Sequence, residues 1–232
     1  NIILTRPIND TENLMNDLFK IGHNIIHIPT LKIKSANLDP ISIKNFEALI
    51  FTSSNAVKNI NLKEDKKNIK CFCVGTITEK IARANGFTKT ISASGNVNAL
   101  KNLIINSKEL NKNDNLAYIC GDQISYDLDK ELEKEGFKIE KIINYTSKKI
   151  KELSKDINQL IINHPPDIIF VYSKRSAESF IELMKKYSFN GLMTDSRVMC
   201  ISEKVLNVFK QSGWKKLEIF ETGDEITKIS EI

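Results

Sequence analysis

The chain has 232 residues, of which 41% are hydrophobic and 27% charged, as in soluble globular proteins with one large domain or two small ones. The net charge of +5 is scattered along the chain, which is atypical of nucleic-acid-binding proteins and fits either solvated lysines or a polyanionic small-molecule substrate. No apolar run approaches the roughly 20 residues that span a bilayer, and the first residues do not resemble a signal peptide, so we expect a soluble cytoplasmic protein without membrane contacts.

Short apolar segments alternate with helix-length amphipathic segments along the whole chain. The predicted strands are 2–5, 24–28, 48–52, 70–74, 88–91, 115–119, 138–144, 167–171, 197–201 and 216–220. Several predicted helices end just before a glycine in the C-cap position: Gly22, Gly86, Gly136 and Gly213. This alternation predicts parallel sheets covered by helices.

Three pairs of segments repeat within the chain. Val74 to Gly86 and Ile201 to Gly213 are both strand-to-helix passages 12 positions long. Pro7 to Gly22 and Gly121 to Gly136 are both 15 positions long. The third pair is 50–56 and 170–177, with one residue inserted in the second copy. Such long periods indicate duplicated domains rather than a solenoid.

The order of the repeats predicts how the chain is divided. One lobe is built from both ends, residues 1–30 and 150–232, and the other is the insert 46–137. Residues 31–45 and 138–149 form a paired, two-stranded linker. We therefore predict an α/β protein with two similar parallel-sheet, flavodoxin-like lobes and a cleft between them.

Hydroxyl, amide and glycine residues follow the predicted strands in both lobes. In open parallel sheets ligands bind beyond the carboxyl ends of the strands, where helix N-termini offer free N–H groups to anions. Ser, Thr, Asn and Asp are also ordinary helix caps, so each residue alone is explained by capping. Two similar rows favour a ligand with several anionic arms. The candidate binding residues are Thr5, Arg6, Ser53, Asn55, Thr76, Thr78, Gly121, Ser173, Ser176 and Ser202.

No pattern typical of a metal or cofactor site occurs. The four cysteines lie in apolar segments without a CxxC pair, as core residues do: Cys71, Cys73, Cys120 and Cys200. The three histidines are not spaced as metal ligands. Gly-rich nucleotide loops and the GxSxG elbow are also missing from the sequence. We expect neither a metal nor a cofactor.

Five features along the chain resemble the uroporphyrinogen-III synthase family: 4–7, 50–56, 74–78, Tyr145 at the end of the predicted strand 138–144 in the second linker, and 172–177. The resemblance runs from Leu4 to about Trp214. It implies two α/β lobes, no cofactor, and cyclisation of the polycarboxylate hydroxymethylbilane with loss of water and inversion of the terminal pyrrole ring. This reaction is a step of tetrapyrrole (haem) biosynthesis. We further expect a monomer, with the preceding bilane-forming enzyme as a candidate partner.

Carried over by position, Tyr145 matches the family's cleft tyrosine and is the candidate general acid, and Ser53, Thr78, Ser173 and Ser202 match cleft-lining positions. Two residues depart from the family, because Cys120 stands where Arg is common and Ser202 where Gly is more usual. A neutral tyrosine, with a pKa of about 10, could donate a proton to the leaving oxygen at neutral pH.

Two alternatives remain open at this point. Tyr145 could be a half-buried linker aromatic without a chemical role. The chain as a whole could be a non-catalytic, two-lobed binding or regulatory protein for a small anion.

Overall fold

A computed structural model describes residues 1–36, 39–65 and 68–230. It divides the chain into two compact units. Unit 1 consists of Asn1–Lys32 and Lys148–Ile232, and unit 2 of Ile33–Ser147. Within the described ranges no helix is both long and apolar enough to cross a membrane.

Strands and short helices alternate in both units. The strands are β1 (Ile2–Leu4), β2 (Ile25–His27), β3 (Leu31–Ser35), β4 (Ala48–Phe51), β5 (Lys70–Cys73), β6 (Lys89–Ser92), β7 (Asn115–Gly121), β8 (Lys138–Lys149), β9 (Ile168–Val171), β10 (Arg197–Cys200) and β11 (Leu217–Ile219). The helices are α1 (Ile8–Lys20), α2 (Ser54–Lys58), α3 (Thr76–Ala84), α4 (Val97–Ile105), α5 (Leu128–Lys134), α6 (Lys155–Asn163), α7 (Lys174–Lys186), α8 (Glu203–Gln211) and α9 (Glu225–Ser230), with a 3₁₀ turn at Asn190–Met193.

The two sheets have the same strand order. Unit 1 runs β11-β10-β9-β1-β2, and unit 2 runs β6-β5-β4-β7-β8 with β3 added outside β8. Unit 1 follows the flavodoxin-like order 2-1-3-4-5, and unit 2 follows the same order when counting starts at β7, the counterpart of β1. Every position is held by the strand that the internal repeats predict, which confirms two similar parallel-sheet units.

Strands β4 and β9 are fully buried, as expected for central parallel strands covered by helices on both faces. All four cysteines are buried free thiols in the cores, as the sequence predicts. Burial raises the pKa of the Cys120 thiol to about 11 and that of Cys200 to about 12, so these thiols stay protonated and inert at neutral pH.

The first linker differs from the expected strand over 31–45. Strand β3 ends at Ser35 and pairs antiparallel to β8, as the bonds from Ala36 N to the Asn144 carbonyl and from Ile150 N to the Thr30 carbonyl show. Residues 37 and 38 of this linker lie outside the described ranges. Residues 39–45 pack on unit 2, where Ile43 is buried. The apolar side chains of this stretch therefore belong to a core rather than to a linker.

Candidate active site

A pocket of about 300 Å³ opens at the carboxyl end of the unit 2 sheet. Three of the predicted site residues line it: Ser53, Gly121 and Tyr145. Thr52, Gln123 and two further tyrosines, Tyr118 and Tyr126, also line this pocket. No charged side chain occurs among the described residues that line it, and these residues offer hydroxyl, amide and backbone donors. The volume lies at the small end of the range for ligand pockets, about 300–1,000 Å³.

A β-bulge in β8 aims Tyr145 into this pocket. Cys120 pairs with Ile143, but the next residue, Gly121, pairs with Tyr145, so Asn144 is the extra residue. Ile142 and Tyr145 consequently pack on the same core cluster although they are three residues apart. In an unbroken strand they would point to opposite faces. The bulge thus turns Tyr145 towards the core face of unit 2.

Hydrogen bonds on both sides hold the bulge in place. The Tyr145 carbonyl accepts from the Asp122 N–H at 3.0 Å, and the Asp122 carboxylate accepts from the Ser147 N–H at 2.9 Å. The Asn144 side chain donates to the Ala56 carbonyl at 2.7 Å. These contacts fix the backbone around Tyr145, and with it the position from which the side chain projects.

The Tyr145 ring lies directly over Gly121. A Cβ atom built on Gly121 would be 2.5 Å from Cζ, 2.6 Å from Cε2 and 2.9 Å from Oη of Tyr145. These distances are far below carbon–carbon contact distances of about 3.5–4.0 Å. Only glycine at this position leaves room for the ring where it is.

Tyr145 is 8% exposed. Burial raises the pKa of its phenol, and the neighbouring Ser53 hydroxyl offsets that rise in part by hydrogen bonding. A buried phenol with a raised pKa remains protonated at neutral pH and can act as a hydrogen-bond donor.

Tyr118 and Thr52 form a hydroxyl pair that the sequence analysis missed. The Tyr118 hydroxyl and Thr52 Oγ1 share a hydrogen bond of 3.0 Å. Tyr118 is 1% exposed, and burial raises the pKa of its phenol, while the hydrogen bond with Thr52 offsets that rise in part. The sequence signal was a tyrosine inside an otherwise apolar strand, since a buried tyrosine requires a partner for its hydroxyl.

The other predicted residues of unit 2 lie outside this pocket. Asn55 is in the first turn of α2, where its N–H donates to the capping Ser53 hydroxyl at 3.2 Å. Thr76 begins α3 and is not buried, whereas Thr78 is 5% exposed. All three follow strand ends of the sheet, as predicted, but the structure does not gather them around Tyr145.

In unit 1 the predicted residues also follow strand ends, where several have structural partners. The Thr5 hydroxyl is buried and donates to the Phe170 carbonyl at 2.8 Å. Ser173 caps α7: its hydroxyl accepts from the Ser176 N–H at 3.0 Å and donates to the Ser176 hydroxyl at 2.9 Å. Ser202 is the N-cap residue of α8 without a side-chain capping bond. Unlike Ser173, Ser202 therefore does not use its hydroxyl to cap its helix.

Arg6 is held against an aromatic ring. Its guanidinium carbon lies 3.7 Å from the ring centroid of Tyr172, and its carbonyl accepts from His27 Nε2 at 2.7 Å. The Tyr172 hydroxyl donates to the buried Glu225 carboxylate at 3.1 Å, which also accepts from the Gly223 N–H at 2.7 Å. No carboxylate among the described residues forms an ion pair with Arg6. Its donor edge is thus available to an anion.

Among residues 1–36, 39–65 and 68–230, no three His, Cys, Asp or Glu side chains form a group that could hold a metal ion.

Comparison with known proteins gives the family. The family described as uroporphyrinogen-III synthase HemD matches residues 13–222 of the 232. The chain belongs to the uroporphyrinogen-III synthase family. This confirms the resemblance stated from the sequence.

Solved structures of similar fold carry the same description. A uroporphyrinogen-III synthetase from Helicobacter pylori aligns with a TM-score of 0.63 at 16% identity, covering 88% of this chain and 90% of that one. A mutant uroporphyrinogen III synthase from the extremely thermophilic bacterium Thermus thermophilus aligns with a TM-score of 0.59 at 10% identity, covering 99% of this chain and 97% of that one. At these identities the structures support the fold. A search of curated proteins found no significant match.

Proposed function

We propose that the chain converts hydroxymethylbilane into uroporphyrinogen III, with loss of water and inversion of the terminal pyrrole ring. The family match over residues 13–222 carries this proposal. The family match gives no support to the alternative of a non-catalytic, two-lobed binding or regulatory protein. As a hydro-lyase that closes a ring, the enzyme belongs to the tetrapyrrole (haem) pathway.

Tyr145 is the proposed general acid. Expulsion of the hydroxyl from the hydroxymethyl carbon breaks a C–O bond, which needs a proton on the leaving oxygen. The pyrrole nitrogen lone pair replaces the lost electrons and gives an azafulvene. The buried, neutral phenol of Tyr145 supplies the proton and leaves a phenolate, and water departs. The phenolate recovers a proton when the product pyrroles lose theirs. Acid catalysis of this type is worth about 10²–10⁴-fold.

Neutral donors and one arginine are the proposed carboxylate-binding groups. In unit 2 these are Ser53 and the other hydroxyl and amide groups of the pocket. In unit 1 we propose Arg6 and Ser202, because no described residue accepts a hydrogen bond from either side chain. The Thr5 hydroxyl donates to the Phe170 carbonyl and the Ser173 hydroxyl caps α7, so we assign these two residues to shaping the ends of β1 and β9. The Ser176 hydroxyl accepts from Ser173 and keeps its own proton, so we propose it as a further donor.

Much of the catalysis in this proposal is orientation. The linear substrate also closes without enzyme, giving the isomer with an uninverted ring. Holding the end rings in the geometry that leads to inversion converts a flexible search into a single productive arrangement. Such a site needs well-placed donors more than a strong catalytic group.

The test supplies freshly made bilane and resolves the oxidised porphyrins by isomer. The proposal requires a type III fraction above the uncatalysed background. A type III fraction equal to the background would refute it.

We also propose a cytoplasmic monomer that receives substrate from the bilane-forming enzyme.

A further inference from the structure

The hydroxyl pair of Thr52 and Tyr118 has one more proton than its own bond uses. Each hydroxyl carries one proton and can accept through its lone pairs. The bond between the two oxygens, at 3.0 Å, uses one of the two protons. Within the described residues neither hydroxyl has a second hydrogen-bond partner. Whichever group donates in the shared bond, the other group keeps a proton to donate elsewhere.

A ligand in the pocket can supply the acceptor for the proton that the Thr52–Tyr118 bond leaves unused. Tyr118 is 1% exposed, its side chain packs in the apolar core of unit 2, and the residue lines the pocket. Thr52 is half-buried and lines the same pocket. Tyr145 and Ser53 form another part of the lining. Both residues of the pair therefore border the volume that a ligand would fill.

We propose that Thr52 and Tyr118 act together as one donor that binds a carboxylate side arm of the substrate in the unit 2 pocket. This inference rests on the proposed function. The described residues that line the pocket include no cation, so the donors that they offer to a carboxylate are neutral. A donor whose own oxygen already accepts a hydrogen bond is polarised and becomes stronger.

The pair predicts an unusual pattern in substrate binding. In Thr52→Val the Tyr118 hydroxyl can still donate to the ligand, and in Tyr118→Phe the Thr52 hydroxyl can. We expect each single variant to raise KM for bilane by no more than about twofold, so that independent effects would give at most about fourfold in the double variant. The double variant removes the donor, and hydrogen bonds to charged groups are strong enough that KM should rise about tenfold or more. The kcat should change little, since proton donation to the leaving oxygen is assigned to Tyr145.

Stability separates this role from a structural one. Each single variant leaves one hydroxyl without its partner, whereas the double variant replaces both with apolar groups of similar shape, which is often nearly neutral. The Tm should thus fall more in the single variants than in the double variant, the reverse of the order in KM. Tyr187→Phe is the matched control, because its hydroxyl accepts from the Leu153 N–H in unit 1 at 3.0 Å. It should lower Tm and leave KM unchanged.

The experiment measures kcat, KM and Tm for the wild-type protein, both single variants, the double variant and Tyr187→Phe. A double variant with the wild-type KM would overturn the inference, since the surplus proton would then serve only solvent. Additive single effects would also overturn it. If the double variant does not fold, Thr52→Ala with Tyr118→Phe removes the same donor in a roomier site. A wild-type protein that forms no type III product would instead refute the proposed function.

Discussion

Replacing Gly121 with alanine would displace the Tyr145 ring without touching Tyr145 itself. The new Cβ would lie 2.5 Å from Cζ of the ring, whereas carbon atoms in contact are about 3.5 Å apart or more. The ring must withdraw by about 1 Å, the difference between these distances. Gly121 does not have a positive φ, so the alanine backbone is unstrained and the effect is steric.

The expected loss follows from that displacement. A misplacement of about 1 Å at a reacting group can cost on the order of 10²-fold in rate. We therefore expect kcat of Gly121→Ala to fall by about 10- to 100-fold. Tyr145 lines the pocket, so we expect the fold to lose no more than the usual cost of overpacking, about 1–3 kcal/mol.

The assay is the initial rate of type III formation, with Tm measured on the same samples. Gly191→Ala is the matched control, because a Cβ there meets nothing within 4 Å. It should retain the wild-type rate. If Gly121 acts through Tyr145, adding Gly121→Ala to Tyr145→Phe should slow the enzyme little further. A folded Gly121→Ala variant with wild-type kcat would refute the reasoning.

Three further predictions can be checked with the same preparations. Tyr145→Phe should lower kcat by about tenfold or more at an unchanged Tm, and an unchanged kcat would remove Tyr145 from the mechanism. Arg6→Lys should raise KM several-fold, because lysine cannot reproduce a planar donor stacked on Tyr172; equal KM values would exclude Arg6 from binding. Hydrogen bonds from Ser92, Arg83 and Thr90 lower the pKa of Glu79. Because the pKa of Glu79 is lower in the folded protein, its carboxylate stabilises the fold at pH values above its unfolded-state pKa of about 4.3. This stabilisation is lost as the pH falls through the folded-state pKa. Urea unfolding of Glu79→Gln should accordingly show a deficit at about pH 7 that shrinks towards about pH 3, and a pH-independent deficit would contradict this.

The strands and the duplication could be predicted from sequence because both depend on local pattern. Apolar runs of strand length and equal spacings to Gly86 and Gly213 indicate the repeated βα passages, and both glycines have positive φ at helix ends. The strand order then follows, since parallel βα units assemble in few ways.

The geometry around Tyr145 could not be predicted in this way. The bulge at Asn144 depends on pairing between β7 and β8 and on bonds to Asp122 and Ala56, none of which has a local sequence signature. The close approach of Gly121 to the Tyr145 ring also has no local sequence signature. The pairing of Thr52 with Tyr118 joins residues 66 positions apart.

The dependence of the isomer ratio on protein concentration tests the central claim most directly. Uncatalysed closure to the uninverted isomer competes with the enzyme for the same bilane. If the chain is a uroporphyrinogen-III synthase, the type III fraction should rise with its concentration until little type I forms, and heat-denatured protein should have no effect. A type III fraction that stays at the background at every concentration of folded protein would contradict the account.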